Sequence, residues 1–171
     1  MQRILRTSLL ACAMTVAWGC GSDTGENRCN GGGGANTLEG SYCEDVEMLF
    51  TEARMLTLTS GDRAFLRIEY VRPLGTGLEK TLMVVFDTQA ATITPGEKID
   101  FLQAGGSVTR VLLAGPVTLT TELEGTNTVQ LDTWTGEIGS PIKGRVDLSF
   151  KNGRRLSGTF EGVLQDALPS A

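Results

Sequence analysis

The sequence predicts an all-β protein whose folded domain is an antiparallel β-sandwich, with a small β-barrel as the alternative. A chain of 171 residues is long enough for one domain with a hydrophobic core. From residue 42 onward, short apolar or alternating runs recur at intervals of about 8 to 12 residues, which is typical of sandwiches and barrels. Turn-forming residues separate the runs, as in SGD, PLGTG, TPGE, EGTN and KNG.

The candidate strands follow one another along the whole domain. In chain order they are RMLTLT, AFLRIEYV, TLMVVFD, SVTRVLL, VTLTTEL, TVQLDTW, GRVDLSF and RLSGTFEGVL. The segment that precedes them, SYCEDVEMLFTEAR, fits two patterns. The helical spacing is that of Val46, Leu49, Phe50 and Ala53, with a capping box at 41–44. The strand spacing is that of Val46, Met48 and Phe50. We favour the strand because the rest of the domain has a β pattern.

The last two candidate strands form a hairpin whose register can be predicted. A two-residue turn at Asn152 and Gly153 would put the apolar side chains of the two strands on opposite faces. A three-residue loop over 151–153 pairs Leu148 with Leu156 and brings both apolar sets to one face, with a left-handed glycine in a bulge. We therefore predict a positive φ at Gly153.

The N-terminus has the pattern of a secretory signal peptide. The basic start MQRILR precedes TSLLACAMTVAW, a short apolar stretch that ends in small residues. A membrane-spanning helix needs about 20 apolar residues, and this run is shorter. Residues 1–19 are therefore predicted to be a signal peptide that is not part of the folded domain.

Residues 17–20, AWGC, resemble the lipobox of bacterial lipoproteins. The resemblance implies cleavage before Cys20 and acylation of that cysteine, and Gly21 in place of an aspartate implies the outer membrane. The LLAC that ends at Cys12 also fits the motif but leaves almost no apolar run ahead of it. The alternative is a plain secreted protein in which Cys20 is lost or paired. Lipid attachment would hold the protein to the bacterial cell envelope, because each buried methylene contributes about 0.8 kcal/mol.

Residues 20–41 have the composition of a flexible tether, and 42–171 form the predicted domain. The tether is rich in Gly, Asn and Ser and would span about 25 Å between its ends if all of it were free. Cys29 and Cys43 are the remaining cysteines, and in an exported chain we expect them to form a disulfide. The closed loop, about 15 residues, contributes about 3 kcal/mol in the chain-entropy model. A metal site is the alternative, but the chain has no histidine.

Charge and composition exclude several functions. Removal of the signal peptide with Arg3 and Arg6 lowers the formal net charge from −5 to −7, so nucleic acid is not an expected partner. Without histidine there is no Ser-His-Asp or Cys-His arrangement, although a pair of carboxylates would suffice for glycoside hydrolysis. We expect no enzyme activity, no catalytic residues and no cofactor or metal.

Two charged groups and one aromatic residue are further candidates for a site. The first group is acidic (Glu44, Asp45 and Glu47), and the second surrounds the last hairpin (Lys143, Arg145, Lys151, Arg154 and Arg155). We interpret both as solvated charge at strand ends. The alternatives are a weak calcium site at the acidic group and a basic tip that contacts anionic lipid headgroups. Trp134 is expected to cap one end of the core rather than to stack on a sugar or a base.

The stretch GRVDLSFKNGRRLSGTFEGVL is similar to the closing hairpin of small β-sandwich lipoproteins of bacterial envelopes. This resemblance implies no activity. The sequence thus predicts a lipid-anchored envelope domain that acts as a structural or protein-interaction module, with the membrane and an envelope protein as partners. The alternative function is a binding module for a small apolar ligand or a glycan.

Overall fold

A computed structural model describes Cys29, residues 34–44, Val46 and residues 48–167 of the chain. This part of the protein is all-β, as predicted, with ten strands and two short 3₁₀ turns. The strands are β1 Thr37–Glu39, β2 Glu52–Ser60, β3 Arg63–Leu74, β4 Gly77–Asp87, β5 Lys98–Asp100, β6 Ser107–Leu112, β7 Gly115–Thr118, β8 Thr128–Thr133, β9 Pro141–Ser149 and β10 Arg155–Asp166. The 3₁₀ turns are Ser41–Glu44 and Thr120–Glu122.

The strands form one hydrogen-bonded mixed sheet. Its order is β5-β8-β9-β10-β2-β3-β4-β6-β7, and β1 pairs with β10 beside this path. The sheet was predicted to be antiparallel, but β10 and β2 run parallel. The reason is the length of β10: its residues 155–163 pair with β9, and its last residues, 164–166, continue past Pro141 at the start of β9 and pair with β2.

A tyrosine connects β3 and β10, two strands that are not neighbours in the sheet. Tyr70 of β3 is fully buried, and its hydroxyl donates a hydrogen bond of 2.9 Å to the carbonyl oxygen of Thr159 in β10. Gly158 leaves room for this contact, since a Cβ there would lie 2.6 Å from the tyrosine oxygen. The strands on both sides of this contact contribute to one hydrophobic core, which includes Leu38, Leu66, Ile68, Leu82, Val84, Phe86, Val129, Leu131, Val146, Leu156 and Phe160.

The β9–β10 hairpin has the predicted register. Leu148 pairs with Leu156, and both are buried. Gly153 has a φ of 79°, which confirms the left-handed glycine predicted for the three-residue loop. The Asn152 side chain accepts a hydrogen bond of 3.0 Å from the backbone N–H of Arg154, so both turn residues fix the loop.

The folded part begins before residue 42. Residues 37–39 form β1, and Leu38, which the sequence analysis placed in the tether, is fully buried. The segment in which helix and strand competed is neither an α-helix nor a strand at 48–50. Met48 and Phe50 are nevertheless buried there, with the alternation that the strand pattern predicted.

Every candidate run contains a strand, but two strands were not anticipated. The run VTLTTEL is a strand only as far as Thr118, because a 3₁₀ turn follows it. The strands β1 and β5 are three residues each and were missed. Three residues give almost no periodicity, so their β structure depends on their neighbours, β10 and β8.

Candidate functional site

The two cysteines after the predicted lipid site form the predicted disulfide. Cys29 and Cys43 are both buried, with their Cα atoms 5.2 Å apart. Cys43 lies in the 3₁₀ turn Ser41–Glu44, which packs against the start of β10. There the Ser41 hydroxyl accepts a hydrogen bond of 3.1 Å from the backbone N–H of Arg155. The disulfide therefore holds Cys29 at the end of the domain where β10 begins.

Cys20, the predicted lipidation site, lies outside the described residues, as does the predicted signal peptide. Among the residues that the structure describes, no helix is long and apolar enough to cross a bilayer.

The acidic group near Cys43 is also largely outside the described residues. Asp45 and Glu47 are not described, nor is the side chain of Glu44. Elsewhere in the described chain, no three His, Cys, Asp or Glu side chains form a group suited to a metal ion.

In the basic group around the last hairpin, the side chains of Lys143, Arg145, Lys151 and Arg154 contact other parts of the chain. Lys143 forms an ion pair with Glu161 at 2.9 Å, and this carboxylate raises the pKa of the lysine amine. Arg145, Lys151 and Arg154 each donate a side-chain hydrogen bond elsewhere in the described chain. These contacts favour the interpretation as surface charge rather than as a free basic tip.

Trp134 follows β8 and packs against the edge of the hydrophobic core. It is half-buried, and a Cβ at Gly136 would lie 3.5 Å from its ring. This position agrees with the interpretation of Trp134 as a cap on the core.

The strands β2, β3 and β4 carry apolar side chains on both of their faces. Side chains at directly paired positions share a face, and the register forms rows that join Leu56 to Val85 and Leu58 to Phe65 on the face away from the core. Met83 lies on the same face of β4. We call these five residues the outer sheet face; each of them remains partly accessible to solvent.

A buried carboxylate lies beside the apolar residues on this face. Glu69 of β3 pairs across the strands with Arg54 and Met83, and its side chain is 5% exposed. The Glu69 carboxylate forms ion pairs with Arg67 at 2.8 Å and with Lys80 at 2.9 Å. Two cations therefore compensate one desolvated acid, which leaves this part of the face positive.

A second ion pair orders the edge of the outer sheet face. The Arg63 guanidinium lies 5.1 Å from the centroid of the Phe65 ring, within the range of a cation–π contact. It also donates a hydrogen bond of 2.7 Å to Asp87. The backbone N–H of Gln89 donates to the other oxygen of the same carboxylate at 2.8 Å. The Gln89 amide and the Arg63 guanidinium hold the pKa of the Asp87 carboxyl below its ordinary value.

The outer sheet face was not predicted from the sequence, although a signal for it was present. The run TLMVVF in β4 is apolar at consecutive positions, whereas a strand with one solvated face alternates with polar residues. Such a run indicates a strand that is covered on both faces. In this chain it marks a face on which the apolar side chains are only partly covered.

The fold and its surfaces define an all-β domain with a disulfide near its N-terminus and a partly exposed apolar sheet face. Comparisons with models of protein families, with curated proteins and with solved structures gave no match for this chain.

Proposed function

We propose that this protein is a lipid-anchored module of the bacterial cell envelope, held at the outer membrane through Cys20. Its folded domain is a β-sandwich that has no catalytic role and docks on another envelope protein. The outer sheet face, formed by Leu56, Leu58, Phe65, Met83 and Val85, is the docking surface. The observation that carries the proposal is that these five apolar side chains lie partly exposed on a face away from the core.

The hydrogen bond between β3 and β10 supports the proposal that the domain is a β-sandwich. The Tyr70 hydroxyl on β3 donates to the Thr159 carbonyl on β10, although neither β1 nor β9, the strands that flank this part of β10, pairs with β3. A side chain that bridges distant strands in this way is expected where one part of a sheet packs face to face on another. The outer sheet face is then the solvent side of one layer.

The composition of the outer sheet face supports a protein partner. An antiparallel sheet with one solvated face normally carries polar residues there. The apolar side chains of this face lie beside the Glu69 ion pairs, and a mixed surface of this kind is suited to a partner that supplies both apolar contacts and carboxylates. The positive charge left by Arg67 and Lys80 favours an acidic partner surface.

The lipid anchor is tested separately from the docking surface. Cells that produce the protein are labelled with a fatty-acid analogue, and the wild type is compared with Cys20→Ser. The proposal predicts label on the wild type and none on the variant. Label on both chains, or on neither, would contradict acylation at Cys20.

The docking surface is tested by photocrosslinking in intact cells. A photoreactive amino acid at Val85 should form one adduct of defined mass, and the same residue at Thr135, which is exposed in the β8–β9 connection, serves as the control. The charged substitution Leu56→Glu should abolish the Val85 adduct, because it replaces an apolar side chain of the contact with a carboxylate. Equal adducts at both positions, or an adduct that survives Leu56→Glu, would contradict docking through this face.

A further inference from the structure

The turns of two neighbouring hairpins carry exposed apolar side chains. Leu113 in the β6–β7 turn is 85% exposed, and Leu74 and Leu78, which flank the β3–β4 turn, are 52% and 44% exposed. Hairpin turns are normally built from Gly, Asn, Asp, Ser and Pro, so a leucine at the tip has no local conformational reason to be there.

These residues belong to one surface, because β4 and β6 are antiparallel neighbours. Leu82 pairs with Arg110, and continuation of this register places the β3–β4 turn beside the β6–β7 turn. A cleft of about 370 Å³ is lined by Arg72, Glu79 and Leu113, so the β6–β7 turn lies beside the residues that lead into and out of the β3–β4 turn. We call Leu74, Leu78 and Leu113 the hairpin-tip surface.

Basic side chains lie directly behind the hairpin-tip surface. The two hairpins carry three cations between their turns and the middle of the sheet, Arg72, Lys80 and Arg110, and Lys80 pairs with Glu69. Arg72 pairs with Glu79 at 2.7 Å, whereas the Arg110 guanidinium has no ion-pair or hydrogen-bond partner among the described residues. This end is therefore positive in a chain whose formal net charge is −5.

The path of the chain puts this surface at the end from which the N-terminal segment leaves. β2 and β10 run parallel and β3 returns antiparallel to β2, so the β3–β4 turn lies at the end where β10 begins. The disulfide holds Cys29 at that end as well. Cys20 precedes Cys29 by nine residues, and nine residues span at most about 30 Å.

We propose that the hairpin-tip surface inserts into the interfacial region of a bilayer that contains anionic phospholipid. The leucines enter the boundary between headgroups and acyl chains, and the guanidinium of Arg110 contacts the lipid phosphates. Apolar side chains that project from turns, with cations one step behind them, fit a fluid layer with an apolar interior and an anionic rim. The distance limit of about 30 Å places this surface near a bilayer only if Cys20 is acylated as proposed, whereas the exposure and charge of the surface do not depend on acylation.

The test uses the chain from residue 20 onward with Cys20→Ser, which contains every described residue and has no acyl group. Its sedimentation is measured with vesicles of phosphatidylcholine and phosphatidylglycerol in equal parts, and with vesicles of phosphatidylcholine alone. We expect binding to the mixed vesicles that weakens at high salt. Leu113→Ser should lower the partition coefficient by about tenfold, because one leucine leaves the apolar region. Arg110→Gln should lower it by about fivefold on the mixed vesicles only.

The control is Ile138→Ser. Ile138 is 61% exposed and lies next to Gly139, whose N–H bonds to the carbonyl oxygen of Leu164 near the opposite end of β10. This variant should bind like the parent chain, and circular dichroism confirms that all variants are folded. Absence of binding to the mixed vesicles, or an equal loss in Ile138→Ser and Leu113→Ser, would overturn the proposal.

Two further outcomes distinguish insertion into lipid from binding of a free anion and from contact with the protein partner. Competition by millimolar inorganic phosphate, with no effect of Leu113→Ser, would identify a site for free anions and overturn the lipid surface. Loss of the Val85 photoadduct in Leu113→Ser, with unchanged vesicle binding, would assign the tips to the protein partner instead. Failure of Cys20 acylation in cells would refute the proposed anchor without affecting this experiment, because the tested chain carries no acyl group.

Discussion

The β9–β10 hairpin and the β3–β4 hairpin follow opposite patterns. In β9, PIKGRVDLS, buried residues alternate with exposed or half-buried ones, and the turn that follows is the polar Lys-Asn-Gly of 151–153. In β4, GLEKTLMVVFD, the residues from Leu82 to Phe86 are apolar at every position, and the turn before it is flanked by two exposed leucines. The first hairpin thus has one apolar face and contributes it to the core. The second contributes one face to the core and presents apolar residues on its other face and at its tip.

This difference separates the residues that stabilise the fold from those that are available for interaction. A side chain whose exposure is the same in the folded and unfolded chain contributes little to the free energy of unfolding. The exposed apolar residues of the β3–β4 hairpin therefore have no evident role in stability. The proposed roles, binding of a protein on the outer sheet face and of lipid at the tips, would account for them.

The largest expected effect comes from a pair of leucine truncations. Leu156→Ala in the β9–β10 hairpin should lower the free energy of unfolding by about 2 to 5 kcal/mol, because Leu156 is fully buried and the truncation leaves a cavity. Leu74→Ala in the β3–β4 hairpin should change it by less than about 0.5 kcal/mol, because Leu74 is 52% exposed. Urea unfolding of both variants measures the difference. A similar loss in the two variants would show that the tip belongs to the core.

The second comparison uses one glycine from each hairpin. Gly158→Ala should destabilise the protein by about 1 to 3 kcal/mol, because the new Cβ would lie 2.6 Å from the Tyr70 oxygen that bonds to β10. Gly77→Ala should leave stability unchanged or raise it by up to about 1 kcal/mol, since its nearest neighbour, a backbone oxygen of Leu74, lies 3.9 Å away.

A double-mutant cycle identifies the cause of the Gly158 effect. If the clash with the hydroxyl is responsible, Tyr70→Phe combined with Gly158→Ala should be less destabilising than the sum of the two single variants. Additive effects would place the strain elsewhere in the strand. An equal loss in Gly77→Ala and Gly158→Ala would remove the contrast between the two hairpins.

Strict alternation made the β9–β10 hairpin predictable. The side-chain period of a strand is two, so a slip of one residue would have moved the whole apolar set to the other face. Only the three-residue loop pairs Leu148 with Leu156, and that requirement led to the positive φ at Gly153. The Cys29–Cys43 disulfide was predictable for a different reason, because few cysteines remain to pair beyond the predicted anchor.

The same rule could not identify the outer sheet face or the parallel pairing of β10 with β2. In LMVVF, residues 82–86, every position is apolar, so alternation does not show which face meets the core. The parallel pairing joins residues more than a hundred positions apart and involves only three residues of each strand. No local pattern specifies such a contact, which depends on where β9 begins. The start of the domain before residue 42 could not be predicted either, since Leu38 is a single apolar residue within a Gly-rich stretch.

The smallest expected effect concerns the base of the β3–β4 hairpin, where the Asp87 carboxylate accepts hydrogen bonds from Gln89 and Arg63. These donors hold the pKa of Asp87 below that of the unfolded chain, so the ionised form stabilises the folded state. Its contribution should be fully present above the unfolded pKa of about 4 and should decrease as the pH falls from there through the folded pKa. Urea unfolding of the wild type and Asp87→Asn should therefore give a stability difference that is constant near neutral pH and shrinks in acid. Asp62→Asn, in the exposed turn between β2 and β3, controls for the removal of one negative charge from the same region. A difference that stays constant in acid would show that the ionised Asp87 carboxylate does not stabilise the folded state.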